Sequence, residues 1–441
     1  MVSRGESGIQ MVTDTIVAIS TPLGRGAIGI VRMSGPKAWE IALKHLTISK
    51  VVPKRAYHAD FFHRKREESL DDVVAIFYKA PHSYSGEDMV EISFHGNPLL
   101  LSKAVRIFTQ DGARPAQRGE FTKRAFLNSK MDLVSAEAVE KIVDSTSELG
   151  LKISRNALEG RLSSLIERER KKLLEISANV EVRLDYPDEF EGEYVPNLSD
   201  IIKKMKKLLS TYDPARTAIE GVKVVLLGAP NVGKSSILNA LVGEERAIVT
   251  PIAGTTRDTI EASLFINGLK VILIDTAGIR DTSDEIEKIG VERAKAAAQS
   301  AHIKVHIVDA TSNEEPHLPA DIIVVNKSDL VQRKVKNALN VSAKTGHGIE
   351  ELKDTIAKLA LSVTQKMDSA EAVLIAERQY DLIKKCVREL EEAQVAFANG
   401  LPIDVVEINI RRAIEFLDVL VGKKYSDDIL NVVFSKFCVG K

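Results

Sequence analysis

GAPNVGKS, Gly228 to Ser235, follows the apolar run VKVVLLG and leads into residues at helical spacing. A loop of this pattern between a strand and a helix is a P-loop, whose glycines let backbone N–H groups approach and encircle phosphates. Lys234 supplies positive charge there, and Ser235 a hydroxyl oxygen suited to magnesium. Outward from the loop, VKVVLLG, KVILID, KVHIVDA and DIIVVN alternate with helical segments. That alternation predicts a mostly parallel sheet covered on both faces.

Three further elements fall in the order that a GTPase requires. Thr256, in GTTRD, offers a second hydroxyl to magnesium. DTAG, Asp275 to Gly278, ends the KVILID strand, with Asp275 placed for the magnesium shell and the Gly278 backbone for the terminal phosphate. NKSD, Asn326 to Asp329, follows another strand. A carboxylate at Asp329 accepts two hydrogen bonds, from the ring N–H and the exocyclic amine of guanine, a pair that adenine does not present. GTP is therefore expected over ATP. SAK, Ser342 to Lys344, completes the set as a backbone contact to the base oxygen.

Ile279 follows DTAG, and its apolar side chain cannot orient an attacking water as a glutamine would. Help must come from elsewhere. The amide oxygen of Asn231 beside the phosphates suits a monovalent cation, and Asp284, Glu285 and Glu287 are carboxylates able to orient water. Motif reading leaves the three acids open.

The 441 residues are too many for one ordinary domain, at about 150 residues per domain, and the 44% hydrophobic and 28% charged content is that of a globular protein. Lys and Arg number 61 against 62 Asp and Glu, so no global positive field draws nucleic acid, and any RNA contact must be local. Two cysteines, Cys386 and Cys438, are too few for a disulfide framework and suggest a reducing cytoplasm. No apolar run approaches the roughly 18 residues of a membrane span, and Met1 to Asp14 lacks an apolar signal core, so no membrane role is expected. Met11 offers an alternative start.

Before the P-loop, short β-branched runs from Thr15 to Arg32, Val73 to Tyr78 and Met89 to Phe94 predict a mixed domain with a sheet. From Phe121 to about Arg183 the apolar period is helical and no proline interrupts it, until LDYPDEFEGE stops the pattern. A basic helix, Ser199 to Leu209, follows, and helices return at Arg378 to Ala396, Pro402 to Val421 and Ser426 to Phe437. The basic runs Arg168 to Lys172 and Lys203 to Lys207 read as solvated helix faces. KVHIVDA is unusually polar for its strand.

These flanks carry a resemblance. DTIVAISTPLGRGAIGIVRMSG, SYSGEDMVEISFHG, RGEFTKRAFLNSKMDLVSAEAV, LDYPDEF, IVTPIAGTTRD, DEIEKIG and the closing FCVGK make the chain similar to the MnmE (TrmE) family of tRNA-modification GTPases over nearly its whole length. The resemblance implies a multidomain α/β and α protein. Its parts are an N-terminal α+β folate-binding and dimerisation domain, 1–122, a discontinuous helical domain, 123–217 and 373–441, and an inserted Ras-like P-loop GTPase domain, 218–372. Carried over by motif, the nucleotide contacts are Asn231, Val232, Gly233, Lys234, Ser235, Ser236, Thr250, Thr256, Asp275, Thr276, Ala277, Gly278, Asn326, Lys327, Asp329, Ser342, Ala343 and Lys344. Magnesium falls to Ser235 and Thr256, and potassium to Asn231, the backbones of Thr250 and Ile252, and Thr255. Among the three acids, the match in DEIEKIG is Glu287 as the catalytic residue.

The family further implies a homodimer working with MnmG, an FAD-dependent flavoprotein, on carbon 5 of the wobble uridine of certain tRNAs. Methylene-tetrahydrofolate is the one-carbon donor, and glycine or ammonium the nitrogen source. The positions for this or the 5-formyl folate map to Arg32, Glu91, Lys130 and Lys441, chemically sensible because the cations suit a glutamate tail and the carboxylate a pterin edge. Composition and spacing alone mark these as ordinary surface charges. Cys438 is a possible nucleophile weighed against a structural role, and His95 reads as a loop or packing residue. Leu23, Asn97 and Val439 depart from the family pattern without removing a functional side chain. Two other classes fit the G motifs, a ribosome-assembly RNA-binding GTPase and a folate-dependent aminomethyl transferase with a regulatory GTPase. The first calls for an RNA module such as a GxxG-bearing KH domain, which neither flank offers.

Overall fold

The computed structural model describes residues 2–3, 14–63, 68–145, 147–189, 194–243, 260–266, 268–275, 301–312, 319–364 and 372–441. The chain divides into two compact units, one of Met1–Glu140, Leu158–Ile202 and Asp381–Lys441, the other of Lys141–Ala157 and Lys203–Tyr380.

In the first unit a six-stranded sheet runs in the order Ala56–His63, Glu68–Tyr78, Met89–His95, Ile28–Ser34, Thr15–Ile19 and Ala113–Pro115. All neighbours are antiparallel except the last pair, which is parallel. Alternation in these strands turns Val17, Val31, Met33, Ala75, Phe77, Val90 and Ile92 into one buried layer. The helix Pro98–Gln110 covers that layer with Leu101, Ala104, Ile107 and Phe108. Its start is legible in HGNP: Pro98 occupies the first helical turn, where a missing N–H costs nothing, and the Asn97 side chain accepts from Leu99 N–H at 2.9 Å.

The long helical pattern is interrupted although no proline falls within it. Glu120–Leu127 ends before Ser129, whose backbone lies in the left-handed region at φ 56°, and Leu133–Asp144 begins afresh. Arg161–Asp185 is a continuous 25-residue helix that stops at the Tyr186–Pro187 step as expected. It packs against Ile403–Val421 within the same unit, and Arg170 Nε donates to Asp418 Oδ1 at 2.5 Å between them. The remaining helices of the C-terminal segment are Glu377–Ala398 and Asp427–Ser435.

The second unit holds the sheet predicted around the P-loop, in the order Ala338–Asn340, Ile322–Asn326, Ile303–Asp309, Val222–Leu227, Leu269–Asp275 and Ile260–Ile266. All pairs are parallel except the terminal hairpin of Ile260–Ile266 with Leu269–Asp275, an edge that the apolar runs did not reveal. Val222–Leu227, the strand entering the P-loop, is flanked on both sides, which explains why almost every position in it is apolar and buried. The polar KVHIVDA stretch forms the strand expected of it, paired with Val222–Leu227 on one side and Ile322–Asn326 on the other. Parallel pairing sends three strand ends, at Leu227, Asp309 and Asn326, to one edge of the sheet.

Candidate functional site

The P-loop begins where Val222–Leu227 runs out. A Cβ on Gly228, at φ 145°, would lie 2.2 Å from the Ile307 carbonyl oxygen of the next strand, so the loop leaves the sheet at a distance that excludes any side chain. Asn231 at φ 64° and Gly233 at φ 94° complete the turn, and Gly233 caps the helix Lys234–Val242. That helix presents its first N–H groups and positive dipole end to the loop.

Lys234 is 5% exposed, and its ammonium donates to the carbonyls of Gly228 and Ala229 at 2.8 Å each, holding it across the loop mouth. Burial pushes its ammonium below the ordinary lysine range, opposed by the negative charge of Asp275. Ser235 Oγ donates to Asp275 Oδ2 at 2.6 Å. An alcohol and a carboxylate converging beside a lysine give the hard oxygen donors that magnesium prefers, so these residues fit the ion.

The base-reading loops are fastened to this cradle by one buried amide. Asn326 Nδ2 donates to the Val232 carbonyl at 2.9 Å, and its Oδ1 accepts from Ala343 N–H at 3.2 Å. Asn326 thereby links the P-loop to the SAK segment, and a Cβ on Gly233 would sit 2.2 Å from its Nδ2. Ser342 Oγ donates to Asp329 Oδ1 at 2.6 Å, which aims the exposed carboxylate and holds its pKa below the usual range. The adjoining cleft, about 380 Å³, is lined by Ser328, Asp329, Arg333, Asn340 and His347 among others.

Lys327, at φ 63°, pairs with Asp309 Oδ2 at 2.5 Å, and Asp309 is itself held by Thr311 through N–H at 2.8 Å and Oγ1 at 2.7 Å. Sequence reasoning missed Asp309. The signal was available, because the D of KVHIVDA ends its strand at the level where NKSD begins. Of the remaining expected residues, Asn231 and Ser236 are exposed on the loop and helix start, and Lys344 follows Ala343. Thr250, Ile252, Thr255, Thr256, Thr276, Ala277, Gly278, Ile279, Asp284, Glu285 and Glu287 lie outside the described residues.

A second cluster belongs to the first unit. Arg32 and Glu91 stand opposite each other in the antiparallel register of Ile28–Ser34 with Met89–His95. Arg32 Nε and Nη2 meet Glu91 Oε1 at 2.8 and 2.7 Å, while Tyr78 donates to Glu91 Oε2 at 3.3 Å. The guanidinium lies 5.4 Å from the Tyr84 ring centre and 5.6 Å from that of Phe121.

The end of the chain is laced into this place. Gly440 carbonyl accepts from Arg32 Nη1 at 3.2 Å and from Ser20 Oγ at 3.1 Å, and Phe121 N–H donates to the Lys441 carbonyl at 3.2 Å. Gly440 is at φ 95°, with the Ile19 carbonyl 2.3 Å from where a Cβ would be. Lys130 Nζ donates to the Pro81 carbonyl at 3.0 Å, on the loop that leads to Tyr84. Cys438 is exposed, its carbonyl accepting from Gly119 N–H at 3.3 Å. His95 is an exposed partner of Asp71, its Nδ1 2.6 Å from Oδ1, and that contact raises its pKa. Cations, a carboxylate and two aromatic rings within one domain fit an acidic, planar cofactor such as a folate.

Beside this cluster lies a buried ionic network that the helical period hid. Arg124 is 2% exposed and bonds Asp14, Glu87 and Glu120, while Arg114 holds Glu120 and Asp14 from outside. Ser34, two residues from Arg32 on the same strand, donates to Glu87 at 2.6 Å. The clue was Arg124 falling on the apolar stripe of Phe121 and Ala125, where an unpaired arginine would be costly.

Among the described residues, no helix is long and apolar enough to cross a membrane, and no group of three or more His, Cys, Asp or Glu side chains converges on a metal position.

Comparison with known proteins agrees along the chain. Residues 15–130 match the family of the GTP-binding protein TrmE N-terminus, and residues 133–438 match the MnmE helical domain. The tRNA modification GTPase MnmE of Thermotoga petrophila is 42% identical over 97% of this chain and 100% of its own. That of Aquifex aeolicus is 40% identical over 97% and 100%. Among solved structures, the FeoB G-domain from Methanococcus jannaschii is 30% identical over 32% of this chain and 97% of its own, with a TM-score of 0.25. With its N-terminal part and its residues 133–438 both matched to the family, and with full-length relatives 40–42% identical over 97% of the chain, the chain belongs to the MnmE family of GTPases.

Proposed function

We propose that this GTPase acts in tRNA modification, hydrolysing GTP in its G domain to serve a folate-dependent reaction at carbon 5 of the wobble uridine. The observation that carries the reading is the coexistence of two separately built sites, the Lys234–Ser235–Asp275 cradle with its Asp329 base reader and the Arg32–Glu91–Gly440 cluster. Family membership supplies the substrate class.

In hydrolysis, the P-loop N–H groups and Lys234 neutralise charge on the phosphates, and Asp329 and Ser342 select guanine. Ser235 and Thr256 would hold magnesium, which supplies further positive charge when bound. Asn231, Thr250, Ile252 and Thr255 would hold potassium, and Glu287 orients the attacking water that Ile279 cannot. Arg32, Glu91, Lys130 and Lys441 would hold the tetrahydrofolate, which supplies the one-carbon unit when bound, and Cys438, close to Lys441 in sequence, is a candidate nucleophile. The protein works in the cytoplasm as a homodimer with the MnmG flavoprotein. Its functional division is an N-terminal domain 1–122, helical segments 123–217 and 373–441, and a G domain 218–372.

Nucleoside analysis of tRNA tests this. A strain lacking the gene should lose the carbon-5 aminomethyl-type modification at the wobble uridine, wild type should restore it, and Glu287→Ala should not. A full complement of modified uridine in the deletion strain would overturn the proposal.

A further inference from the structure

A further polar concavity lies wholly within the first unit. It encloses about 770 Å³, in the range of ligand-binding clefts. One wall is a stripe along the helix Arg161–Asp185, where Ser164, Glu167, Arg168 and Lys171 recur at three- and four-residue spacing and are all exposed. The facing wall is Gly422 and Lys423, just beyond the helix Ile403–Val421, and the floor is Phe126 and Met131 beside Ser129.

The charges in this cleft are unequally satisfied. Its two acids are engaged: Glu167 Oε2 accepts from Lys423 Nζ at 2.6 Å, and Asp132 Oδ1 accepts from Ser135 N–H at 2.7 Å. Arg168 meets the buried Glu169 through Nε at 3.2 Å, leaving the rest of its guanidinium toward solvent. Lys171 makes no ion pair among the described residues. Ser163 Oγ is buried in the wall without a hydrogen-bond partner among the described residues, a cost that a ligand acceptor or donor would remove. The basic run Arg168 to Lys172 is therefore not merely a solvated face, since two of its members border a cleft with an unsatisfied hydroxyl.

We propose that this cleft binds a single-stranded segment of the tRNA substrate, with Lys171 and Arg168 on its phosphates. The inference rests on the tRNA reading above and adds the place of contact. Three hydroxyls and two carboxylates suit ribose hydroxyls and base edges, and the apolar floor suits a sugar or base face. Because the cationic wall is exposed, a polymer can enter and leave along it. A near-neutral protein needs such a local site, having no global field to attract RNA.

The test is fluorescence anisotropy of labelled tRNA with the full chain, for wild type, Lys171→Glu, Ser164→Asp and Lys171→Arg. Lys171 and Ser164 lie outside the nucleotide machinery, so GTP hydrolysis should be unchanged in all three variants, and circular dichroism and denaturant unfolding check that the helix Arg161–Asp185 and its unit keep their fold. Each acidic variant should bind about tenfold more weakly at about 0.1 M salt, Lys171→Glu should also reduce the slope of log affinity against log salt by about 1, and Lys171→Arg should retain wild-type affinity. Wild-type affinity in both acidic variants, with tRNA bound by wild type, would overturn the cleft assignment alone. No tRNA binding by wild type would instead sink the tRNA reading on which it rests. If inorganic phosphate is bound in a Lys171-dependent manner but tRNA binding is indifferent to Lys171, the cleft is a small-anion site and the proposal fails.

Discussion

At the nucleotide loops, Lys234 reaches carbonyls five and six positions earlier in the chain, whereas in the N-terminal cluster Arg32 reaches a carbonyl 408 positions later. The first arrangement is fixed by local backbone geometry, in which Gly228 and Gly233 admit conformations and close approaches that a side chain would block. The second depends on strand register and on a C-terminal segment being threaded back to the first strand. A site made of contiguous turns announces itself as a motif. One made by topology leaves ordinary-looking charges scattered through the sequence.

If the two sites are as separate as their construction, each can be broken alone. The largest effect should come from Lys234→Ala, which removes the buried cation of the phosphate cradle. We expect kcat/KM for GTP to fall by about a thousandfold, as for loss of a charge-stabilising donor in a water-poor site. Folate binding, followed by isothermal calorimetry, should stay at the wild-type level. A joint loss would show that the cradle also supports the N-terminal cluster.

Deletion of residues 438–441 is the reciprocal cut. It removes the Gly440 acceptor of Arg32 and Ser20 together with the Lys441 ammonium. Two charge-assisted contacts at about 1.5–3 kcal/mol each predict folate binding weakened by at least about a hundredfold, with steady-state GTP hydrolysis unaffected. Circular dichroism must first show that the helix Asp427–Ser435 survives. Undiminished folate affinity in the folded truncation would remove the tail from the site.

The smallest effect concerns the ionic network beside the cluster. Burial alone would raise the Glu120 carboxyl, but Arg114, the Gln117 N–H and Arg124 together hold it below its ordinary value near 4.5. A depressed folded-state pKa gives stability that is complete above about pH 4.5 and is lost as pH falls through the folded value. Denaturant unfolding of the first unit at about pH 5.5 and 3 should therefore show Glu120→Gln losing about 1 kcal/mol less than wild type, after allowance for solvent screening. Identical losses would mean that Glu120 contributes nothing to acid sensitivity.

What the sequence revealed follows the same division. GAPNVGKS, NKSD and SAK announced Lys234, Ser235, Asn326, Asp329 and Ser342, because each motif is a complete turn whose geometry its own residues determine. Asp309 escaped notice because its partner, Lys327, lies on the neighbouring strand end, and adjacency of strands is a property of the sheet. Arg124 was hidden for a different reason. Helical periodicity sorts positions by face and does not say that five charged groups will converge on one of them. The hairpin strand Ile260–Ile266 went unread because its pairing, to Leu269–Asp275, breaks the βα alternation used to find the others.

The return of Gly440 to Ser20 spans 420 positions, which sets a schedule for biosynthesis. The N-terminal strands emerge from the ribosome first and can pair at once, but their polar face must wait for the helical segments and the whole G domain to be translated. At roughly 5–20 residues per second that delay is on the order of 20 to 80 s. Throughout it Arg32 has Glu91 as its neighbour and no tail carbonyl, so a nascent chain possesses its nucleotide loops well before its N-terminal cluster gains the Gly440 acceptor. Translational pausing late in the message would prolong that half-built state without changing a single residue of the product.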